Sequence, residues 1–373
     1  MIRRGMQKSF GAITICIVIG MLVAGLWPFN PYPPNEVSWL PSRNGLHFGD
    51  YGTIWSSGPF QLSGSQGKGS CSFEVWLQPV VDDGTHTILA FSTPENPLRL
   101  KLQQYLDSLL ILRNRADQPG HPGNAAMEID HVFRREKAVL ITVTTGPIAT
   151  AVYIDGRMVK SSPRFSLTRD DLAGQLVFGT SPVGNDSWRG NLLGLALYDR
   201  ELSETQVAQN YLQWMQGGRP ASVATRDIVA LYIFEEHTGN VVHNSAGSGG
   251  DLNIPNHFGI LQKPVLARPR GKDFVRLNFW GDVLLNVAGF IPLGFFVCAY
   301  LSSVQTRRAA LAAIIVGAAI SLTIELLQVY IPTRDSDATD LVANTSGAIL
   351  GVLLYGRTIA RAFLASLHRI SCT

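Results

Sequence analysis

Hydrophobic positions follow two different patterns along this chain. In the last quarter they run almost without a break, over residues 283–301, 309–331 and 341–355. Each run approaches the roughly 20 apolar residues that cross a bilayer core, the third being the shortest. A fourth run, residues 11–27, follows Arg3, Arg4 and Lys8. It reads as an uncleaved anchor or as a signal peptide: Val23-x-Gly25 permits cleavage, while Trp27-Pro28-Phe29 looks like an interfacial stop and favours the anchor. From about residue 46 to 214 the pattern changes to short alternating segments.

Those segments predict strands. SFEVWLQ (72–78) and AVLITVT (138–144) are β-branched and aromatic at strand length. Residues 149–159 predict a hairpin with Asp155-Gly156 at its tip, a pair that accepts positive φ in a tight turn. Further strands are expected over 175–179 and 191–198. Ser203 with Gln206 three residues on is a capping box, and opens one short helix over 204–215. Many strands, regular turns and little helix imply a two-sheet sandwich. ALYIFE (230–235) with residues 239–244 reads as an edge strand or a small annex behind it. The expected fold is multi-domain: an all-β jelly-roll sandwich plus an α-helical transmembrane bundle of four spans. Its expected parts are a basic flank and first span (1–29), a proline-rich linker (30–44), a sandwich (45–262, core 45–216 and annex 217–262), a linker (263–281), spans two to four (282–356) and a basic tail (357–373).

The spans carry polar residues that a bilayer disfavours. Asn286, Glu325, Gln328 and Asn344 lie within them, and Arg334, Asp337 and Asp340 lie at the turn before the last. Charge at membrane depth is costly, so such residues are candidates for a functional site. Basic residues precede span one, separate spans two and three (Arg307, Arg308), and follow span four (Arg357, Arg361, Arg369). A cytoplasmic N-terminus puts all three groups inside, and places the sandwich and the 332–340 turn outside. The seven polar residues then share one depth, the outer leaflet. Glu325 and Gln328 fall on one helical face, as do Asp337, Asp340 and Asn344. Two readings of this cluster stand side by side. One is an interhelical hydrogen-bond lock with Arg334 paired to Asp337 or Asp340. The other is a ligand site, in which Glu325 and Asp340 are also the candidates for acid–base catalysis.

The wording Asn286-x-x-x-Phe290-Ile291-Pro292-Leu293-Gly294, then Glu325-Leu-Leu-Gln328, Arg334, and Asp340-x-x-x-Asn344-x-x-Gly347 resembles the VanZ-like family of small membrane proteins. That family is named for a member linked to resistance to the glycopeptide teicoplanin, so the resemblance implies a role in glycopeptide susceptibility. Phe73-x-Val75-Trp76-Leu77-x-Pro79, Tyr153-x-Asp155-Gly156 and the stretch from Trp188-x-Gly190 to Ser203 are similar to the laminin-G-like, concanavalin A-like jelly roll. This second resemblance implies glycan binding and a calcium ion, for which Asp50, Asp82, Asp83 and Asp186 are the weak candidates.

Composition narrows the rest. Hydrophobic residues make up 46% and charged residues 16%, with the excess at the two ends, which fits a bilayer-embedded chain. A net charge of +3 is too small to imply a nucleic-acid partner. Cys16, Cys71, Cys298 and Cys372 have neither disulfide-framework nor zinc-site spacing. No Glu-x-Asp-x-x-Glu glycosidase signature occurs. His86, His131 and His243 read as surface residues, and Trp76 and Trp188 as core rather than as sugar platforms. The tail, with Phe363, Leu364 and Leu367 between its arginines, reads as an amphipathic helix on the inner leaflet. Two function classes remain: a membrane-anchored, lectin-like scaffold that binds a glycan or envelope partner, and an outer-leaflet site that handles an amphiphile such as a lipid-linked cell-wall intermediate.

Overall fold

The computed structural model describes residues 2–60, 69–80, 84–114, 124–184, 186–220, 228–246, 249–269 and 277–371. The chain divides into two compact units: Tyr32–Lys263, and Met1–Pro31 together with Pro264–Thr373.

In the first unit the alternating segments form sixteen strands among the described residues. They are β1 (Val37–Trp39), β2 (Leu46–Phe48), β3 (Ile54–Ser56), β4 (Cys71–Pro79), β5 (Thr85–Ser92), β6 (Leu100–Tyr105), β7 (Ser108–Asn114) and β8 (Asn124–Ile129). They continue as β9 (Val139–Thr145), β10 (Thr150–Ile154), β11 (Arg157–Ser162), β12 (Gln175–Phe178), β13 (Gly190–Tyr198), β14 (Ile228–Tyr232), β15 (Val241–Val242) and β16 (Leu252–Asn253). One antiparallel sheet has the order β1-β2-β13-β4-β9-β10-β11, with β14 also on β13. The other runs β15-β16-β3-β12-β5-β6-β7-β8. Inward residues of both, among them Phe48, Phe73, Val75, Phe91, Leu102, Ile141, Phe178 and Leu195, form one buried core. This is the expected sandwich. The hairpin tip sits where expected, with Asp155 at φ 50° and Gly156 at φ 78°.

The expected separation of core and annex does not hold. β2 pairs only with Gly190–Leu192 of β13, and β14 takes the same strand further on, matching Leu195 with Tyr232. β16 pairs with β3 in the opposite sheet. Tyr232, Phe234 and Leu252 are fully buried in the shared core. Segment 217–262 therefore completes both sheets. The expected linker likewise contributes an edge strand, β1, through its residues 37–39.

β4 and β9 are buried on both faces, because a helix covers the outer face of their sheet. That helix, α2 (Glu204–Gly217), follows α1 (Ile2–Leu26) in chain order and opens on the predicted capping box. Ser203 Oγ accepts from Gln206 N at 3.3 Å, and Gln206 Oε1 accepts from Ser203 N at 3.0 Å. α2 presses Val207 and Trp214 onto Leu140, Tyr153 and Tyr198. Trp76 packs against Trp214 in a tilted contact, with ring centroids 6.0 Å apart and planes inclined by 52°, and Trp188 is buried and donates to Gln104 Oε1 at 2.9 Å.

The second unit is a helical bundle. To α1 it adds α3 (Leu277–Ser303), α4 (Ala309–Gln328) and α5 (Ala338–Ser371). Among the described residues, four stretches are long and apolar enough to cross a membrane: Gln7–Leu26, Phe279–Ser303, Ala309–Gln328 and Ala338–Ile359. α3 continues through Pro292. α3 and α5 pack backbone to backbone: a Cβ at Gly347 would run into the Val287 carbonyl, and one at Gly351 into the Ile291 carbonyl. Small residues permit this close approach, which supplies the dispersion contacts that hold membrane helices together. The basic tail is not a separate helix, since α5 carries the backbone of span four on to Ser371. Its side chains from residue 360 onward lie outside the described residues.

Candidate functional site

The polar side chains converge at one end of the bundle. α1 ends there at Leu26, leaving carbonyls that no further helical N–H can reach. Arg334, in the turn after α4, donates from Nε to the Trp27 carbonyl and from Nη2 to the Ala24 carbonyl, both at 2.9 Å. Gln328, at the end of α4, donates to the Gly25 carbonyl at 2.8 Å. A cation at a helix C-terminus also complements the helix dipole. The expected pairing of Arg334 with Asp337 or Asp340 is thus replaced by a cap on span one. The carbonyls at the end of α1 need donors, and the guanidinium supplies them.

Glu325 is 1% exposed and reaches the start of α5. Its Oε2 accepts the Asp337 N–H at 2.8 Å, and the Ser336 hydroxyl, which accepts from Leu266 N at 3.1 Å, also hydrogen-bonds it. Asp337 is the N-cap of α5, its Oδ1 accepting from Thr339 N at 2.7 Å. Two carboxylates therefore face the positive end of one helix. Asn286 of α3 hydrogen-bonds the Asp340 carboxylate. Asn344 donates from Nδ2 to Ser321 Oγ of α4 at 3.0 Å. Asn344 is 5% exposed, and its Oδ1 has no hydrogen-bond partner.

These groups surround a cavity of about 300 Å³. Asn286, Glu325, Gln328, Arg334, Asp340 and Asn344 line it together with Met21, Leu285, Phe290 and Ile324. Six of the seven predicted polar residues meet there; Asp337 is held behind Glu325 as the helix cap. Sequence reasoning missed Ser321, Ser336 and the α1 carbonyls. Ser321 lies one helical turn before Glu325, a spacing that could have disclosed it. The partnership of α1 has no local signal.

The calcium candidates behave differently. Asp186 accepts from Thr87 Oγ1 and Ser181 N, each at 2.8 Å, and from Gln103 Nε2 at 3.2 Å, with Lys101 at 3.5 Å. Burial raises its pKa, against the lowering pull of Lys101. Asp50 pairs with Arg189 at 3.3 Å. Asp82 and Asp83 lie outside the described residues. Among the described residues no three His, Cys, Asp or Glu side chains are placed to hold a metal ion. A carboxylate already surrounded by donors and a lysine does not fit a calcium ligand, which needs free oxygens. The sandwich does present a groove of about 420 Å³, lined by Glu128, Asp130, His131 and Lys160 among others. His131 is exposed and bonds Asp107 at 2.6 Å, which raises the imidazole pKa and lowers that of the carboxyl. His243, also exposed, bonds Asp251 at 3.2 Å, whereas His86 is half-buried against the Ser187 carbonyl at 2.7 Å.

Residues 228–361 match the VanZ/LLP1 family model, and residues 55–208 match that of the concanavalin A-like lectin/glucanases superfamily. Among solved structures, a putative carbohydrate binding protein from Bacteroides ovatus aligns at 12% identity and a TM-score of 0.36, over 58% of this chain and 61% of that one. The receptor binding domain of botulinum neurotoxin D aligns at 13% identity and a TM-score of 0.36, over 56% and 60%. A SAP-like pentraxin from Limulus polyphemus aligns at 14% identity and a TM-score of 0.34, over 61% and 94%. The chain spans about three fifths of the length of the first two. No curated protein matches it. The two family matches and the two units define a membrane protein that carries a concanavalin A-like sandwich domain.

Proposed function

We propose that this is an envelope protein whose membrane bundle binds the head of an amphiphile in the outer leaflet, and whose sandwich meets a glycan or another envelope component outside. A lipid-linked cell-wall intermediate has the right chemistry, and a role in glycopeptide susceptibility would follow from occupying it. The observation that carries this reading is the cavity itself. It joins buried carboxyl and amide groups to apolar walls, and its wall residue Leu285 is 72% exposed on the helical unit. A head group can sit among the polar side chains while its chains run out past Leu285 into lipid. An interhelical lock needs the hydrogen bonds but not the space.

Gly289 gives a test, because it lines the cavity and a Cβ built there meets nothing within 4 Å. Gly289→Phe is expected to fill the space while leaving membrane abundance unchanged. Mass spectrometry of lipids co-purified with the wild-type chain should find a specific amphiphile that the variant has lost. An identical lipid profile from both proteins would refute the reading. Sidedness rests on the three basic flanks. With the native cysteines replaced, Thr205→Cys on α2 should react with an impermeant maleimide on intact cells, and Thr306→Cys between α3 and α4 should not. Labelling of residue 306 from outside would invert the layout.

A further inference from the structure

The residues that line the cavity are not equally covered. Phe290, Ile324, Glu325, Gln328 and Asn344 are buried, and close it on the side of α4 and α5. Arg334 and Asp340, toward the turn, are half-buried. Ala24 of α1 and Leu285 and Gly289 of α3 line it too, and all three are exposed. α1 packs on α3 at the far end of the bundle. There Gln7 Nε2 donates to the Ser303 carbonyl at 2.7 Å, and the Phe10 and Phe296 ring centroids lie 6.4 Å apart. At the cavity end α1 leans on α4 and the turn instead. A Cβ at Gly25 would lie 2.8 Å from Ile324, and Gln328 and Arg334 donate to the carbonyls of Gly25, Ala24 and Trp27. The exposed side of the cavity therefore runs between α1 and α3. Aromatic side chains fix its depth. Trp27, Trp280 and Tyr330 are exposed at this end of α1, α3 and α4, and such rings mark the boundary between membrane and water. At about 1.5 Å per residue, Leu285 and Gly289 lie roughly 8 and 14 Å along α3 from Trp280, on the hydrocarbon side.

We propose that the gap between α1 and α3 is a side portal. A lipid already resident in the leaflet slides its polar part through it into the cavity, while its hydrocarbon chain stays in the gap against Leu285 and Gly289. This rests on the reading that the cavity takes an amphiphile, and names the route and the wall that the chain occupies. The depth decides the occupant. Below the aromatic rings the surroundings are acyl chains, so the apolar wall at Leu285 is matched by a chain, and a water-soluble ligand has no path to it. Such a ligand would have to enter at the turn, past Arg334 and Asp340. Gly289 brings no side chain into the gap, and a Cβ there would meet nothing within 4 Å, which leaves room for a chain of methylenes.

The experiment compares two neighbouring positions of α3 in the full-length protein in native membranes. Leu284 and Leu285 are 68% and 72% exposed, and of the two only Leu285 lines the cavity. The photoreactive residue p-benzoylphenylalanine in place of each captures the lipid beside it on irradiation, and mass spectrometry identifies what is attached. Position 284 should capture the bulk lipid mixture. Position 285 should capture one amphiphile enriched at least tenfold over its share at 284. A nitroxide on Leu285→Cys, with the native cysteines replaced, should collide with oxygen in preference to a water-soluble nickel chelate. Nickel collisions as frequent as those at Thr306→Cys would make the gap aqueous and overturn the portal. So would the same lipid mixture at 284 and 285 from a chain that co-purifies a specific amphiphile, and the entry at the turn would replace it. If no specific amphiphile co-purifies with the wild-type chain and 285 captures only bulk lipid, the amphiphile reading fails together with this one.

Discussion

Glu325→Ala should remove most of the protein from the membrane, and Glu325→Gln should not. The alanine variant leaves the Asp337 N–H buried with no acceptor, and takes a carboxylate from the start of α5. The unsatisfied donor alone costs on the order of 1–3 kcal/mol, and the lost packing adds to that. The glutamine variant keeps the shape, and its amide oxygen can accept the same N–H. It does not keep the charge. Immunoblots of membrane fractions measure the first effect, and mass spectrometry of the co-purified amphiphile measures the second. Glutamine is expected near wild-type abundance with binding reduced at least tenfold. A glutamine variant that both accumulates and binds normally would leave Glu325 as a helix lock and nothing more.

The sandwich offers a second large effect. Residues 32–263 contain both complete sheets, so this fragment should be soluble and mainly β by circular dichroism. Within it Glu74→Ala should come close to unfolding the domain. Glu74 is wholly buried between β4 and α2. It accepts from Tyr198 Oη at 2.7 Å, Trp214 Nε1 at 2.9 Å and Asn210 Nδ2 at 3.0 Å. Three donors left without an acceptor cost on the order of 5 kcal/mol together, against a typical domain stability of about 5–15 kcal/mol. Burial raises the Glu74 pKa despite those donors. The folded state therefore holds this proton more tightly than the unfolded chain, whose glutamates titrate near about pH 4.3. The resulting stability is present in full below that pH and is lost as pH rises through the folded value. The melting temperature of the fragment should fall over that window, and Glu74→Gln should flatten the fall. A slope unchanged by the substitution would assign it to another group.

Much of the architecture was legible in the sequence because it rests on local physics. A helix that must satisfy every backbone group in lipid needs about 20 apolar residues in a row, and such runs are visible by eye. Asp155-Gly156 and Ser203 with Gln206 specify their turn and cap within a few residues. The polar residues of the site were also legible, because charge and amide groups stand out in apolar spans. Their partners were not. Gln328 bonds a carbonyl 303 positions away and Arg334 one 310 positions away, and helix α1 shows no surface pattern that marks which carbonyls will need donors. Nothing in the predicted strand at 72–78 marks Glu74 as special; α2, closing over that face, makes it the acceptor for three side chains. Residues 230–235 read as an edge strand or an annex because a β-strand does not encode its neighbour; the free stretch of β13 beyond β2 decided for the edge strand. Sequence alone thus determined the four apolar spans, the hairpin and capped helix of the sandwich, about half of its strands, and the chemical groups at the site. Tertiary packing decided which of those groups were spent on other helices and which were brought together around a cavity.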